Sequence, residues 1–295
     1  MNEIIVECKN LTHYYGKRCI YKNLNFNIPK GRTLGLLGKN GTGKTTTINI
    51  LNGYLKPVSG TCLIFGENAS ELSPTTKQKI GLLIEGHVQY PFMNVTEIEN
   101  FYSAFYPRWK KNIYLELINL LKIDKKQKLS QMSCGQRSQI ALALILAQDA
   151  ELLILDDFSM GLDPGYRMLF VDFLSEYVKS ENKTIFVTSH IIQDMERLID
   201  DCLILDYGGI MLQKPVDELL KTFNKYCFDG KAPEEINRIK NIYNPVSIKG
   251  KTELYSFLPP KELEKLLNTT GIETPNIRHE KLTLEEAFIG LTGKY

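Results

Sequence analysis

The segment Gly38-Lys39-Asn40-Gly41-Thr42-Gly43-Lys44-Thr45 fits the spacing G-x-x-x-x-G-K-[S/T]. Each residue type in it has a chemical reason. Glycines let successive backbone N–H groups close around phosphate oxygens where a Cβ would obstruct them. A lysine at position 44 reaches the β- and γ-phosphates of a nucleotide, and the hydroxyl of Thr45 suits Mg²⁺. At average composition the pattern recurs by chance in roughly one chain in a hundred of this length, so context has to support it. Context does: the apolar run Thr33–Leu37 reads as a strand before the loop, and Thr45–Leu51 as a helix after it. The helix N-terminus adds partial positive charge. These residues point to a nucleoside triphosphate.

A second set of residues supplies carboxylates. Leu152-Leu153-Ile154-Leu155-Asp156-Asp157 is a buried-strand pattern ending in two acids. Strand ends of a parallel sheet face the ligand crevice, so Asp156 is placed to hold Mg²⁺ through water. Asp157 is next in line to orient or deprotonate an attacking water. The run Thr184–Thr188 is another buried strand, delivering Ser189 and His190 to the same edge, where a histidine can sense the γ-phosphate. Met132-Ser133-Cys134-Gly135-Gln136 precedes a strong helical pattern, so Ser133 and the Gly135 backbone form a second helix-terminal anion site. Gly161-Leu162-Asp163-Pro164 follows and opens the next helix. A guanine-specific Asn-Lys-x-Asp is absent. The candidates Asn182-Lys183-Thr184-Ile185 and Asn224-Lys225-Tyr226-Cys227 do not end in Asp, and Asp206-Tyr207-Gly208-Gly209 is a chance D-x-x-G match.

The elements around these residues alternate. Strand patterns at Ile4–Cys8, Cys19–Ile28, Thr61–Phe65, Ile80–Ile84 and Cys202–Leu205 join those above. Helical patterns fall at Val95–Phe105, Asn112–Lys122 and Gln136–Gln148. Alternation with continuous apolar strands predicts an α/β layered fold with a mostly parallel sheet. Pro91–Ser130 is helical with almost no strand signal, and its charge run Lys122–Lys128 reads as a solvated helix end or loop. After Phe223, short strands at Tyr226–Phe228, Val246–Ile248 and Leu254–Phe257 interleave with helical stretches near Glu234–Lys240 and Pro260–Leu267.

Composition narrows the function classes. The 295 residues carry Lys+Arg 36 against Asp+Glu 34, a net +2, with 43% hydrophobic residues. Those are ordinary globular values and lack the concentrated positive charge of nucleic-acid binders. The most apolar stretch, Ile140–Ala147, falls far short of the roughly 20 residues a spanning helix needs. The acidic start Met1–Glu7 has no secretory apolar core. The six cysteines show no C-x-x-C spacing, which suits a reduced cytosolic protein.

The order of these motifs, from about Cys8 to Asp206, resembles that of ABC transporter ATP-binding subunits. The implied fold is a P-loop NTPase of ABC type, with a parallel-sheet core, an antiparallel β subdomain and a helical insertion over about 86–148. The implied domains are a cassette at 1–223 and a small α/β accessory module at 224–295. The resemblance implies that Tyr15, or its neighbour Tyr14, stacks on adenine, and that Gly38, Asn40, Gly41, Gly43, Lys44, Thr45 and Thr46 hold ATP. It assigns Ser133, Gly135 and Gln136 to the signature and Asp163 to the inter-subunit loop. Asp156 becomes the Mg²⁺ carboxylate beside Thr45 and Glu85, and Asp157, His190 and Glu85 the catalytic set. ATP with Mg²⁺ then lies between two cassettes arranged head to tail, equal or unequal. They serve a separate transmembrane permease at the inner face of the cell membrane, with no nucleic acid involved. The ending Leu282–Gly293, the segment Tyr106–Trp109 and Glu85 are similar to those of bacterial drug exporters of the bacitracin- and lantibiotic-resistance type.

Three departures bear on mechanism. Met132 and Cys134 replace the Leu and first Gly of the usual Leu-Ser-Gly-Gly-Gln, and Glu85 stands where Gln is usual. Asp157 stands in the usual Glu position, followed by Phe158-Ser159 in place of Pro-Thr. Aspartate is one methylene shorter, which retracts the carboxylate by roughly 1.5 Å. A misplacement of about 1 Å costs on the order of 100-fold in rate, or about 2.7 kcal/mol. The expectation is intact ATP binding with slow hydrolysis. The alternatives are a regulatory cassette that binds without turning over, or a soluble ABC protein outside transport.

Overall fold

The computed structural model describes residues 3–84, 90–159 and 161–293. It divides into two compact units, Met1–Gln213 and Lys214–Tyr295. The first unit runs β1 (Ile4–Tyr15), β2 (Arg18–Pro29), β3 (Thr33–Gly38), α1 (Lys44–Leu51), β4 (Ser59–Ile64), β5 (Glu67–Asn68), α2 (Pro74–Lys77) and β6 (Ile80–Leu83). It continues through α3 (Val95–Ser103), α4 (Lys111–Leu120), α5 (Cys134–Ala147), β7 (Leu152–Asp156), α6 (Pro164–Glu181), β8 (Thr184–Thr188), α7 (Ile192–Leu198) and β9 (Asp201–Asp206), and ends within β10 (Gly209–Pro215).

Two sheets build this unit. One has the order β2-β1-β4-β5, with every pair antiparallel. Strand β1 extends well past Cys8, where the sequence pattern breaks. Asn10 there adopts φ 52° and the register shifts between Cys8 and Leu11. The bulge absorbs Lys9 and Asn10, so Leu11 and His13 return to the buried side. The other sheet has six strands in the order β10-β9-β3-β8-β7-β6. Of these, β6, β7, β8, β3 and β9 are parallel. Their centres are continuous buried runs, Leu152–Leu155 and Thr184–Thr188, as strands covered on both faces require. Strand β10, absent from the sequence pattern, is a half-exposed edge carrying Gln213, Lys214 and Pro215.

The helical insertion holds α3, α4 and α5. Asn94 caps α3 through a capping box with Glu97. The buried Tyr114 hydroxyl on α4 donates to the Val95 carbonyl at 2.8 Å. Glu99, almost wholly buried, accepts from the Trp109 indole at 2.9 Å and pairs with Lys111 at 3.0 Å. The lysines of the Lys122–Lys128 run are exposed. Among the described residues no helix is long and apolar enough to cross a membrane.

The second unit contains α8 (Val216–Thr222), β11 (Asn224–Asp229), β12 (Tyr243–Ile248), β13 (Lys251–Ser256), α9 (Pro260–Thr269), β14 (Arg278–Glu280) and α10 (Leu284–Thr292). Its antiparallel sheet has the order β12-β13-β11-β14. Tyr226, Phe228, Leu254, Leu263 and Leu267 form the core. The units divide ten residues before the composition change near Phe223, because α8 packs on α10. Phe223 itself stacks on Tyr255 and packs at a tilt against Phe257. The stretch near Glu234–Lys240 is a single 3₁₀ turn, Glu234–Arg238.

Candidate functional site

The phosphate loop leaves β3 at Gly38 and enters α1 at Lys44. Gly41 and Gly43 have φ of 79° and 108°, which glycine adopts without a steric cost. A Cβ on Gly43 would stand 2.7 Å from an Ile20 methyl and 2.9 Å from the Tyr21 ring, so the loop is pressed against β2. The Lys44 ammonium folds back over the loop and donates to the Gly38 carbonyl at 2.6 Å and the Lys39 carbonyl at 3.2 Å. Burial pushes the Lys44 pKa down, while Asp157 and Asp156 oppose that shift. Thr45 is exposed at the start of α1, and Thr46 is buried. Gly38, Asn40, Gly41, Gly43, Lys44, Thr45 and Thr46 thus lie on one strand–loop–helix connection.

The acids come off the neighbouring strands. Asp156 ends β7, directly beside Thr188 of β8. The Thr188 hydroxyl donates to Asp156 Oδ1 at 2.6 Å. Asp157 is buried, with φ 52°, and its N–H donates to the Thr188 carbonyl at 3.1 Å. Asp157 Oδ1 accepts from the His190 backbone N–H at 3.2 Å, and Oδ2 lies 3.0 Å from His190 Nε2. The His190 side chain is 59% exposed and that of Asp157 7%, so the pair spans the wall between core and solvent.

The remaining residues lie on separate elements. Tyr15 is exposed at the end of β1, whereas Tyr14 is half-buried with Lys22 over its ring. Tyr15 pairs across the hairpin with Arg18, whose guanidinium donates to the Gly41 carbonyl at 3.2 Å. That bond fastens the hairpin tip to the phosphate loop. Tyr207, whose hydroxyl donates to the Asn40 carbonyl at 3.4 Å, is a second aromatic at the loop. Nothing in the motif spacing points to Arg18 or Tyr207. Ser133 and Gln136 form a capping box at the start of α5: the serine Oγ accepts from Gln136 N–H at 3.1 Å, and Gln136 Oε1 accepts from Ser133 N–H at 3.0 Å. A Cβ on Gly135 would meet the Gly161 carbonyl at 2.8 Å, which ties this turn to the loop before α6. Asp163 is the exposed N-cap residue of α6. Glu85 lies outside the described residues.

Comparison with known proteins decides what this arrangement belongs to. The sequence profile of the family described as ABC transporter matches residues 21–159. The bacitracin transport ATP-binding protein BcrA of Bacillus licheniformis is 32% identical over 98% of this chain and 97% of its own length. The chain belongs to the ABC transporter family. The lantibiotic transport ATP-binding protein SrtF of Streptococcus pyogenes is 34% identical over 72% of this chain and 92% of its own. Among solved structures, the dimeric post-hydrolysis ATP-binding cassette MJ0796 with ADP and phosphate superposes with a TM-score of 0.62 and 23% identity. It covers 72% of this chain and 98% of that one, and it supports the fold. The protein is therefore an ABC cassette that binds and hydrolyses ATP.

The cassette's donor set fits a hard divalent cation. Thr188 holds Asp156 Oδ1, and among the described residues Oδ2 takes no hydrogen bond. No group of three or more His, Cys, Asp or Glu side chains converges among the described residues. A single carboxylate oxygen without a hydrogen bond would leave the rest of a coordination shell to hydroxyl, water and phosphate oxygens, as Mg²⁺ prefers. Burial raises the Asp156 pKa, with the Thr188 hydrogen bond opposing and Asp157 adding to the rise. A raised folded-state pKa means that the native protein holds this proton more tightly than the unfolded chain. Nucleotide-free stability is then lost as pH rises from about 3.9 through the raised value. Asp156→Asn is expected to raise the melting temperature of the nucleotide-free protein at neutral pH, with the gain fading as pH falls toward about 4. Thermal melts across that range check the sign; an unchanged or lowered melting temperature at neutral pH contradicts it.

Proposed function

We propose that this chain is the ATPase subunit of an exporter for antibiotic-like or lipid-like compounds. It works as one of two head-to-tail cassettes beneath a separate membrane permease, on the cytoplasmic face. The observation that carries this reading is the end-to-end match to a bacitracin transport ATP-binding protein, which includes the second unit as well as the cassette. The match to the lantibiotic transport protein, over 72% of this chain, supports the same reading. A chain without a spanning helix among its described residues needs such a permease to act across a membrane.

In this reading ATP lies on the phosphate loop with its adenine against Tyr15, the exposed ring at the hairpin tip. The Lys44 ammonium leaves the Gly38 and Lys39 carbonyls for the β- and γ-phosphate oxygens, a stronger charge-assisted contact. Mg²⁺, when bound with the nucleotide, neutralises charge on the phosphate oxygens and orients them. Thr45 and Asp156 would hold it, with Glu85 as the third oxygen donor. The second cassette contributes Ser133, Gly135 and Gln136 to the γ-phosphate and Asp163 to the contact between cassettes. ATP closes the pair, and hydrolysis releases it.

Asp157 and His190 take the chemical step together. Asp157 accepts a proton from, or orients, the attacking water, and His190 contacts the γ-phosphate. A specific feature favours slow turnover: the shortened carboxylate of Asp157 is already drawn to His190 through both oxygens. This chain then acts as a binding-competent, slowly hydrolysing cassette, alone or beside a faster partner.

Lys44→Ala is expected to abolish tight MgATP binding, measured by titration of a fluorescent ATP analogue; micromolar affinity in the variant overturns the loop assignment. Asp157→Glu is expected to raise steady-state hydrolysis by roughly 10- to 100-fold. Wild-type turnover that the variant does not increase refutes the slow-site reading. Tagged protein in solubilised membranes is expected to co-purify with a polytopic subunit. Recovery as a free cassette with full hydrolysis argues instead for a protein outside transport.

A further inference from the structure

Thr188 belongs to none of the motifs above, yet it touches both acids of the site. It is the last residue of β8 and is buried between β3 and β7, paired with Leu36 on one side and Asp156 on the other. Its hydroxyl has one proton and two lone pairs. The proton goes to Asp156 Oδ1 at 2.6 Å, and a lone pair accepts the Asp157 N–H at 3.2 Å. The Thr188 carbonyl accepts the same N–H at 3.1 Å.

We propose that Thr188 is a positioning residue for the cation side of the ATP site, holding Asp156 by one oxygen so that the other faces the cation. The inference rests on the reading of this crevice as the ATP site. A carboxylate on a single-bonded stem rotates between rotamers; one short hydrogen bond from a buried, β-branched donor removes that freedom. Thr188 is well suited to this because its own χ1 is stiff and its backbone is locked in the sheet centre. The lone-pair contact to Asp157 N–H also supports the backbone turn that carries Asp157 out of β7. Outer partners of metal-binding carboxylates commonly affect metal affinity by about 10- to 100-fold.

The test uses the full-length protein as wild type, Thr188→Val and Thr188→Ser. A fluorescent ATP analogue in EDTA reads nucleotide binding without metal. Mn²⁺ titration followed by electron paramagnetic resonance, with a non-hydrolysable ATP analogue present, reads the cation directly. Thr188→Val, nearly isosteric but without the hydroxyl, is expected to weaken Mn²⁺ binding roughly 10- to 100-fold while leaving metal-free nucleotide binding at the wild-type value. Thr188→Ser is expected to restore Mn²⁺ affinity. Unchanged Mn²⁺ affinity in Thr188→Val overturns the proposal. So does a Thr188→Ser variant as weak as Thr188→Val, because Mn²⁺ affinity would then not follow the hydroxyl. If Thr188→Val does not fold, Thr188→Ala against Thr188→Ser, which differ only by the hydroxyl, decides the same point. Wild-type protein that binds no nucleotide either in EDTA or with Mg²⁺ overturns the phosphate-loop assignment itself, an outcome separate from the others.

Discussion

Parallel pairing at the C-terminal ends of β3, β8 and β7 is the constraint on which the site depends. Leu36 pairs with Thr188, and Thr188 with Asp156, so three chain segments leave the sheet side by side. Side chains alternate along a strand, and a slip of one residue in β8 would turn Thr188 away from Asp156. Every residue of β8 is buried, so register here is held by the close packing of each side chain against its own neighbours on both faces and by pairing to β3 and β7. The same burial sets the electrostatics. It weakens the charged forms of both Lys44 and Asp156, and placing them on one edge lets opposite charges offset part of that cost.

Backbone geometry prepares the site for a ligand. Gly43 at φ 108° turns the loop into α1, and Asp157 at φ 52° turns the chain out of β7. Aspartate tolerates that region better than most residues, but still at a cost, and it persists because the Thr188 and His190 contacts hold it. The Asp157 Oδ2 atom is buried without an aligned hydrogen bond, although His190 Nε2 is 3.0 Å away. The approach is a charge contact whose strength depends on a proton on that ring nitrogen. The oxygen therefore retains acceptor capacity, which a water at the γ-phosphate would use.

Much of this was legible in the residues. The parallel strands were readable because they are uninterrupted apolar runs, and the phosphate loop because its chemistry demands fixed glycines around Lys44. In β1 the alternation breaks after Cys8, because a bulge at Asn10 hides its continuation to Tyr15. Strand β14 is too short, and β10 too polar, to show a period. Arg18, Thr188 and Tyr207 were not legible for a different reason. Their roles come from partners 23, 32 and 167 residues away in the chain, and such contacts exist only once the sheets have formed.

The altered signature follows the same logic. Ser133 Oγ accepts the Gln136 N–H, which occupies a lone pair but leaves the hydroxyl proton free to be given to a phosphate oxygen. With the Gln136 N–H taken by Ser133, the first N–H groups of α5 still without intrahelical acceptors belong to Cys134 and Gly135. In the proposed role of this helix start, Cys134 would contribute through its backbone, which is unaffected by having a thiol in place of hydrogen. Gly135 has no such latitude, because the Gly161 carbonyl fills the space of its Cβ. The position that departs from the usual glycine is thus the one where a side chain has room, exposed at the helix start, and the glycine retained is the one the neighbouring loop requires.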